Sequence, residues 1–214
     1  MKHVFIINPV SGKKNVSVAL RAQIRQAAQK LGIETEVINS KYKGHCTELA
    51  RQWAEWAEEN SEIVRLYSCG GDGTLNRFVN GTADISIQQE ILYFPTGTGN
   101  DFACDLRRTA YTNPFPINEF ITHLPTVEVK GKTYRFLNAV GFGIDGYCCQ
   151  VGDELRKQPD KKVNYTLIAV KGLLGKFNPR NAKITVDGVE HTYHKVWIAP
   201  TLNGRYYGGG MMAA

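Results

Sequence analysis

Residues 68–81 read "SCGGDGTLNRFVNG" and decide the class of fold. They follow the apolar run "IVRLYSC" (63–69), which is typical of a buried strand, and they lead into a segment with helical spacing. Gly70, Gly71 and Gly73 lack Cβ atoms, so the chain can turn sharply and bring backbone amides close to a bulky anion. This order predicts a phosphate-binding loop between a strand and a helix, although a plain tight turn would use the same residues.

Strand-like and helix-like stretches alternate through the first part of the chain. Apolar residues recur at spacings of three and four along 16–31, which Gly32 ends, and along 46–60, so both stretches are predicted helices. The predicted buried face of the first helix consists of Val16, Leu20, Ile24, Ala27 and Leu31. Predicted strands occupy residues 3–8, 33–39, 62–69 and 90–95. Such alternation indicates an α/β domain with an open parallel sheet.

The character of the sequence changes after about residue 114. Residues 126–143 and 182–200 resemble hairpins, the second with an Asp187-Gly188 pair that favours a tight turn, and a helical stretch covers 163–177 between them. We therefore predict two domains, an α/β domain at 1–125 and a mainly β domain at 126–214.

Three polar or glycine-bearing loops are expected at the same edge of the parallel sheet. They are "NPVSGKK" (8–14), "GGDGT" (70–74) and "PTGTGND" (95–101), and each follows a predicted strand. Ligands of open parallel sheets bind beyond the carboxyl ends of the strands, so the side chains of these loops are expected to converge.

Asp72 and Asp101 are the two carboxylates of these loops. A carboxylate repels a phosphate unless a cation or a proton lies between them, and phosphoryl transfer uses a metal ion that bridges phosphate oxygens. The two residues are therefore candidate catalytic groups and candidate Mg²⁺ ligands. Asn100 and Asp101 also suit the start of a short helix over "DFACDL" (101–106), a structural role that is compatible with the first.

Composition limits the classes of function. The net charge of +6 comes from scattered lysines and arginines, which does not indicate a nucleic-acid tract but is compatible with peripheral contact to an anionic membrane. The five cysteines form no CxxC pair and are expected to be reduced thiols. The apolar run at the N-terminus is too short for a signal peptide, so we expect a cytoplasmic protein.

Taken together, "NPVSGK", "GGDGTLN" and "PTGTGNDFA" resemble the catalytic domain of the diacylglycerol kinase and sphingosine kinase family, particularly the soluble bacterial lipid kinases. "FLNAVGFGIDG" and "NGRYYGGGM" resemble later signatures of that family. The resemblance implies a nucleotide-binding α/β domain, a β-sandwich second domain, and ATP- and Mg²⁺-dependent phosphorylation of a lipid hydroxyl such as that of diacylglycerol. It also implies peripheral membrane contact during turnover, while oligomeric state, a homodimer included, is left open.

Carried over by position, the resemblance implies a set of nucleotide-binding residues. They are Asn8, Ser11, Gly12, Ser40, Gly70, Gly71, Asp72, Gly73, Thr74, Leu75, Asn76, Gly97, Thr98 and Asn100. Asp72 and Asp101 would belong to the carboxylate network that organises metal and water.

The chain departs from the family pattern in three places. The aspartate that many bacterial members carry just before the "FLN" strand is absent, and Thr126 and Glu128 are the nearest polar residues. Arg77 stands where the family usually has a glutamate, which reverses a charge beside the phosphate loop. The sequence also stops at "GGGMMAA", before the tail in which family members carry further strands, a metal-linked segment and a general base. We therefore expect a second domain that is truncated at its C-terminus.

Two other functions fit parts of the sequence. An NAD kinase shares "GGDGT" and the two-domain plan, but its downstream Thr-Gly-Ser-Thr-Ala-Tyr-like stretch is absent. A non-catalytic nucleotide- or lipid-binding fragment would fit Arg77 and the early stop. The dinucleotide fingerprint "GFGIDG" (141–146) lacks the acidic residue that a Rossmann fold needs about 20 positions later, so we interpret these glycines as packing or turn positions.

Overall fold

The computed structural model describes residues 1–12, 16–83, 89–108, 113–156, 158 and 163–213, with the backbone alone at 156. The chain divides into two compact units. Unit 1 comprises Met1–Asn138 and Asn203–Ala214, and unit 2 comprises Ala139–Leu202. The boundary near residue 125 stays a prediction from the sequence.

A five-stranded sheet with the order β2-β1-β3-β4-β5 forms the centre of unit 1. The first four strands are parallel to one another, and the short β5 pairs antiparallel with β4. The bounds are β1 Lys2–Ile7, β2 Thr35–Asn39, β3 Val64–Gly70, β4 Gln89–Pro95 and β5 Phe115–Pro116. The predicted parallel sheet is confirmed. Residues such as Val4, Ile6 and Leu66 are fully buried, as expected of strands covered on both faces.

Five helices accompany this sheet in the described part of unit 1: α1 Val16–Leu31, α2 His45–Asn60, α3 Asp72–Thr82, α4 Asp101–Asp105 and α5 Asn118–Ile121. The predicted helices at 16–31, at 46–60 and after each glycine loop are confirmed. The predicted buried face of α1 is correct at Leu20 and Ile24, but Ala28 is buried instead of Ala27, and Leu31 is exposed. The Leu31 side chain in the last turn of α1 is therefore exposed to solvent.

Two short hairpins complete unit 1. One consists of β6 Thr126–Val129 and β7 Lys132–Arg135, joined through Lys130 and Gly131, both with positive φ. The other consists of β12 Tyr206–Tyr207 and β13 Met211–Met212 near the end of the chain. Its turn contains Gly208, Gly209 and Gly210, and all three have positive φ. Glycine is favoured at such positions because it has no Cβ.

The described residues of unit 2 form two antiparallel strand pairs and two helices. The bounds are β8 Ala139–Gly143, α6 Ile144–Arg156, α7 Tyr165–Lys171, a wide π-type turn Gly172–Lys176, β9 Arg180–Val186, β10 Val189–Val196 and β11 Ile198–Leu202. Strand β9 pairs with β10 and β8 pairs with β11. The predicted hairpin turn at Asp187-Gly188 is confirmed, since both residues have positive φ. Helix α6 was not predicted, because its glycines at 146 and 152 weaken the helical signal.

No helix among the described residues is both long and apolar enough to cross a bilayer.

Close packing of α3 on α2 depends on Gly81. A Cβ added there would overlap the carbonyl oxygen of Thr47 and lie 3.1 Å from the Ala50 Cβ. Helix α3 would have to move away from α2 to admit even a methyl group, and the first residues of α3 belong to the "GGDGT" loop.

We expect Gly81→Ala to lower the free energy of unfolding by about 1–3 kcal/mol, the usual cost of overpacking a core. The matched change is Gly146→Ala in α6, where an added Cβ meets no atom within 4 Å. There the alanine should raise stability by up to about 1 kcal/mol, since glycine is the poorer helix former. Denaturant unfolding, monitored by circular dichroism, tests whether Gly81→Ala lowers and Gly146→Ala raises the free energy of unfolding. An equal effect of the two variants would contradict this account.

A second prediction concerns His3 in β1. Its Nδ1 lies 2.9 Å from the Tyr67 hydroxyl, and burial, followed by the nearby Arg65, lowers the pKa of His3 from its ordinary 6.5. Below pH 6.5 the unfolded chain therefore binds a proton that folded His3 resists, so stability falls as the pH drops through this value. As the pH is lowered through 6.5, the free energy of unfolding should fall less steeply for His3→Gln than for the wild type. Parallel curves would remove His3 as the cause.

Candidate active site

The three loops of interest meet where the strand order of the sheet reverses. The chain runs from β1 outward to β2, then returns to β3 on the other side of β1, so the crevice between β1 and β3 is the switch point at which such sheets bind ligands. The Asn8 amide donates to the Cys69 carbonyl at 2.9 Å, and the Thr96 amide donates to the Gly70 carbonyl at 2.9 Å. The loops after β1, β3 and β4 are thus adjacent, as expected.

The glycines of these loops pack against one another. An added Cβ at Gly71 would lie 3.1 Å from the Gly97 Cα, and one at Gly97 would overlap Gly71. Gly12 has φ +75°, and a Cβ there would overlap the Thr96 carbonyl oxygen. Glycine is required at these positions because the loops touch through their backbones. Gly73 differs, since it is exposed and an added Cβ would meet only the Arg77 guanidinium, at 4.0 Å.

Asn8 and Thr74 join the loop after β1 to the first turn of α3. The Asn8 Nδ2 donates to the Thr74 Oγ1 at 2.8 Å, and the Thr74 side chain is buried. A Cβ added at Gly70 would lie 2.5 Å from the Thr74 Cβ, so the glycine makes room for this contact. The threonine hydroxyl is thereby held in one orientation across the crevice.

Asp72 joins the second loop to the third. Its carboxylate oxygens accept hydrogen bonds from the backbone amides of Asp101, at 3.0 Å, and Phe102, at 2.9 Å. These are the first amides of α4, which have no partner within their own helix. A carboxylate at the start of a helix is also favoured by the helix dipole. Helix α3 itself starts at Asp72 without a hydrogen bond from any side chain to cap it.

Asp101 is buried and binds the glycine turn near the end of unit 1. Its carboxylate oxygens accept the amides of Gly209, at 2.9 Å, and Gly210, at 2.6 Å. A buried carboxylate is costly unless it is hydrogen-bonded, and these amides supply that compensation. Gly99 makes room for the turn, since its added Cβ would lie 2.8 Å from the Gly209 Cα.

Asn100 shapes the third loop from within. It has a left-handed φ of 52° and is 2 % exposed. Its Oδ1 accepts from the Gly97 amide at 3.0 Å and the Tyr93 hydroxyl at 3.3 Å, and its Nδ2 donates to the Gly97 carbonyl at 3.1 Å. Thr98, by contrast, is exposed.

The other sequence-predicted residues lie around these loops. Ser11 is partly exposed beside Gly71, and the Ser40 amide donates to the Ile7 carbonyl at 2.8 Å. Leu75 is fully buried, so only its backbone could meet a ligand. Asn76 accepts the Leu137 amide on its Oδ1 at 3.1 Å and thus supports the hairpin region of unit 1.

Arg77, the residue that reverses the family's charge, is partly exposed on α3. Its guanidinium donates to the Gly73 carbonyl at 3.3 Å, one turn earlier in the same helix. The positive charge therefore lies close to the amide end of α3, where it adds to the positive potential of the helix dipole.

Two contacts of this region could not be found from sequence. Arg205 donates from Nε to an Asp105 carboxylate oxygen at 2.7 Å and from Nη2 to the Asp105 carbonyl at 2.8 Å. Asn80 donates to the Arg135 carbonyl at 2.8 Å and accepts its amide at 2.8 Å. For the contact of Arg205 with Asp105, the sequence offered only the glycine-rich segment "NGRYYGGGM" as a signal. No sequence pattern indicated the contact of Asn80 with Arg135.

The thiols next to the loops are poor nucleophiles. Cys69 ends β3 and Cys46 begins α2, and burial raises the pKa of both side chains above the ordinary value. Protonated thiols neither attack electrophiles nor bind metals readily. The chemistry of this region therefore rests on its carboxylates, amides and hydroxyls.

A magnesium ion would find two carboxylates in this region. No cluster of three or more His, Cys, Asp or Glu residues suited to a metal occurs within the described ranges. Mg²⁺ is commonly held by one or two carboxylates together with phosphate oxygens and water, so a larger protein cluster is not required. Asp72 and Asp101 each accept two amide bonds and keep further lone pairs, which fits this type of binding.

Comparisons with known proteins identify the family of the chain. Residues 2–126 match the family described as "Diacylglycerol kinase catalytic domain", which is more than half of the chain. The chain belongs to this family. Residues 138–214 match the "YegS C-terminal NAD kinase beta sandwich-like domain". The expected fold class, an α/β domain followed by a β-sandwich-like domain, is thereby confirmed.

Individual family members resemble the chain to different extents. It is 29% identical to "Putative lipid kinase YtlR" of Bacillus subtilis over 98% of this chain and 71% of that protein. It is 36% identical to a diacylglycerol kinase of the same organism over 48% of this chain and 32% of that protein. A diacylglycerol kinase structure from Bacillus anthracis shares the fold with a TM-score of 0.58 and 23% identity over 97% of this chain and 66% of that one. These relatives are named kinases, which supports a kinase-type transferase in general.

The two hydrogen bonds that Asp72 accepts lead to a prediction about the free energy of unfolding. In Asp72→Asn the new NH₂ group would face one of the two amide donors, so one bond is lost and a donor is left unpaired. We expect the free energy of unfolding to fall by about 1–3 kcal/mol. Asp187→Asn is the matched control, because asparagine suits its hairpin turn equally well. Equal stability of the two variants in denaturant unfolding would contradict the role assigned to Asp72.

Proposed function

We propose that this chain transfers the γ-phosphate of ATP to the hydroxyl of a membrane lipid such as diacylglycerol. The observation that carries the proposal is the pair of bonds from the Asp72 carboxylate to the amides of Asp101 and Phe102. These bonds hold the Asp72 carboxylate, which lies at the start of α3, against the start of α4, whose first residue is Asp101. Phosphoryl transfer depends mainly on such positioning and on electrostatic stabilisation.

The phosphates of ATP would bind at the amide end of α3. That end carries a partial positive charge, has no side-chain cap, and lies beside exposed Gly73 and the Arg77 guanidinium. Asn8 and Thr74 present a hydrogen-bonded pair on the neighbouring side of the crevice. Exposed Thr98 offers a further hydroxyl from the third loop.

Asp72 and Asp101 would hold Mg²⁺ together with phosphate oxygens. When bound, the ion would neutralise the charge that develops on the transferred phosphoryl group. The amide bonds of both carboxylates fix their orientation before any ligand arrives. Loss of hydrogen bonds that orient metal-binding side chains commonly lowers metal affinity or activity by about 10–100-fold.

The acceptor is best tested with several hydroxyl compounds at once. The chain is incubated with Mg²⁺ and γ-labelled ATP in mixed micelles that contain diacylglycerol, monoacylglycerol, sphingosine and phosphatidylglycerol, with soluble NAD in a parallel reaction. A labelled lipid is the expected product. Asp72→Asn should lose about 10–100-fold or more of the rate after correction for its folded fraction. Asp187→Asn, in a turn of unit 2, should keep the wild-type rate.

Other results would point elsewhere. Labelled NAD in place of a lipid would replace the substrate assignment with that of an NAD kinase. Binding of Mg-ATP without any labelled product would favour a nucleotide-binding module. Full activity in Asp72→Asn would remove this carboxylate from the mechanism.

A further inference from the structure

An ion pair between Arg205 and Asp105 holds the last hairpin of unit 1 against helix α4. The Arg205 Nε donates to the Asp105 Oδ1 at 2.7 Å, and the Nη2 donates to the carbonyl oxygen of the same residue at 2.8 Å. The Arg205 backbone amide adds a longer bond to the Asp105 Oδ2, at 3.3 Å. A planar guanidinium that uses two donors at once fixes orientation as well as distance, so this contact sets where the hairpin lies on α4.

The backbone beside Arg205 packs closely on Asp105. A Cβ added at Gly204 would lie 2.7 Å from the Asp105 Oδ2, closer than Cβ atoms approach in proteins. Asp105 is the last residue of α4, and carbonyls in the last turn of a helix lack a partner within it. The guanidinium supplies that partner, and its charge is favourable at the negative end of the helix dipole.

Arg205 lies at the base of the hairpin, and the glycine turn 208–210 lies at its tip. The Ala213 amide donates to the Arg205 carbonyl at 2.8 Å, just outside the pairing of β12 with β13. A displacement of Arg205 would therefore be passed along both strands of the hairpin to the turn.

The tip of the hairpin holds the Asp101 carboxylate. The Gly209 amide donates to its Oδ2 at 2.9 Å, and the Gly210 amide donates to its Oδ1 at 2.6 Å. Asp101 and Asp105 are four residues apart on α4, so they lie on the same face of the helix, one turn from each other. The hairpin thus contacts this face twice, with its base at Asp105 and its tip at Asp101.

The exposure of the ion pair argues against stability as its main contribution. The Arg205 side chain is 48% exposed and the Asp105 side chain is 24% exposed. Ion pairs that water reaches contribute little to folding, and many contribute nothing measurable. The orientation of a metal-binding carboxylate matters more, since loss of the hydrogen bonds that support it commonly lowers metal affinity or activity by about 10–100-fold.

We propose that Arg205 and Asp105 are a positioning pair that sets the orientation of the Asp101 carboxylate for a divalent cation. The pair acts through the hairpin, whose Gly209 and Gly210 amides fix the two carboxylate oxygens. The inference rests on the proposed function, in which Asp101 helps to hold Mg²⁺. Its first step, from the ion pair to the glycine turn, requires no metal, nucleotide or turnover.

Hydrogen exchange measured by NMR tests this first step on the whole chain without metal or nucleotide. In Arg205→Gln the amides of Gly209 and Gly210 should exchange at least about tenfold faster than in the wild type, because a loosened hairpin opens its bonds to Asp101 more often. Amides in the central strands of the sheet should keep their exchange rates.

Binding of Mn²⁺ in the presence of ADP tests the second step. The relaxation rate of water protons reports the ion held by the protein, and Arg205→Gln should weaken its binding about tenfold. Asp105→Asn should weaken it to a similar extent. The variant with both substitutions should bind no more weakly than either single variant, because two partners of one contact are not additive.

Arg205→Lys and Arg65→Gln are the companion variants. Lysine keeps the charge at the end of α4 but lacks the planar fork, so Arg205→Lys should bind Mn²⁺ with intermediate affinity and remains informative if Arg205→Gln unfolds. Arg65 also pairs through Nε with a carboxylate, that of Glu90, at side-chain exposures of 36% and 48%. It lies near the start of β3, whereas the loops of the candidate site follow the ends of the strands. Arg65→Gln should therefore match the wild type in exchange at the glycine turn and in Mn²⁺ affinity.

Thermal unfolding separates positioning from loss of the fold. Each arginine-to-glutamine variant should lower Tm by no more than about 4 °C, as expected for an exposed ion pair in a chain of this size. Saturating Mg²⁺ should restore the phosphorylation rate of Arg205→Gln, since the substitution weakens cation binding and leaves the KM for the lipid unchanged.

The outcomes distinguish this proposal from the proposed function. Faster exchange at Gly209 and Gly210 together with weaker Mn²⁺ binding, in Arg205→Gln but not in Arg65→Gln, would support it. The same differences in a wild type that transfers no phosphate would support the positioning pair while the proposed function fails. Unchanged exchange at the glycine turn, unchanged Mn²⁺ affinity, or a wild type that binds no Mn²⁺ would overturn it.

Discussion

The hydrogen bonds from the Asp72 carboxylate to the amides of Asp101 and Phe102 hold the centre of unit 1 together. They connect the loop after β3 with the loop after β4, which also meet through the hydrogen bond from the Thr96 amide to the Gly70 carbonyl and through close contact of their glycines. The carboxylate and the amides satisfy each other's hydrogen-bonding groups. The amides at the start of α4 lack acceptors within their helix, and a partly buried carboxylate needs donors. Any residue that enlarges either loop would separate the two and leave both groups unpaired.

The same arrangement extends to a part of the chain about one hundred residues away. Asp101 binds the amides of Gly209 and Gly210, and Arg205 binds Asp105 at the other end of α4. The last hairpin of unit 1 thereby holds a short helix at both ends. A five-residue helix has little stability of its own, so tertiary contacts of this kind decide whether it forms. The carboxylates proposed to hold Mg²⁺ are thus oriented by backbone amides from two separate segments, the start of α4 and the glycine turn of the last hairpin.

Unit 2 shows the opposite use of apolar residues. In unit 1, Tyr93 of the sheet and Phe78 of α3 are fully buried. In α7 and its wide turn, leucines remain in solvent beside lysines. Hydrophobic burial is the main favourable term in folding, so an exposed leucine cluster forgoes stability that the fold could have gained.

The sequence alone determined the alternation of strands and helices in unit 1, the edge at which the three loops meet, and the turn at Asp187-Gly188, because periodicity and glycine chemistry are local properties. It also predicted that Asp72 and Asp101 belong to one site. Only the tertiary structure decided what they bind, since Gly209, Gly210 and Arg205 are distant in sequence and no spacing rule links them. It likewise decided that Ala28 replaces Ala27 in the core and that Leu174 is exposed, because burial depends on which neighbouring elements pack against a helix and not on the helix itself.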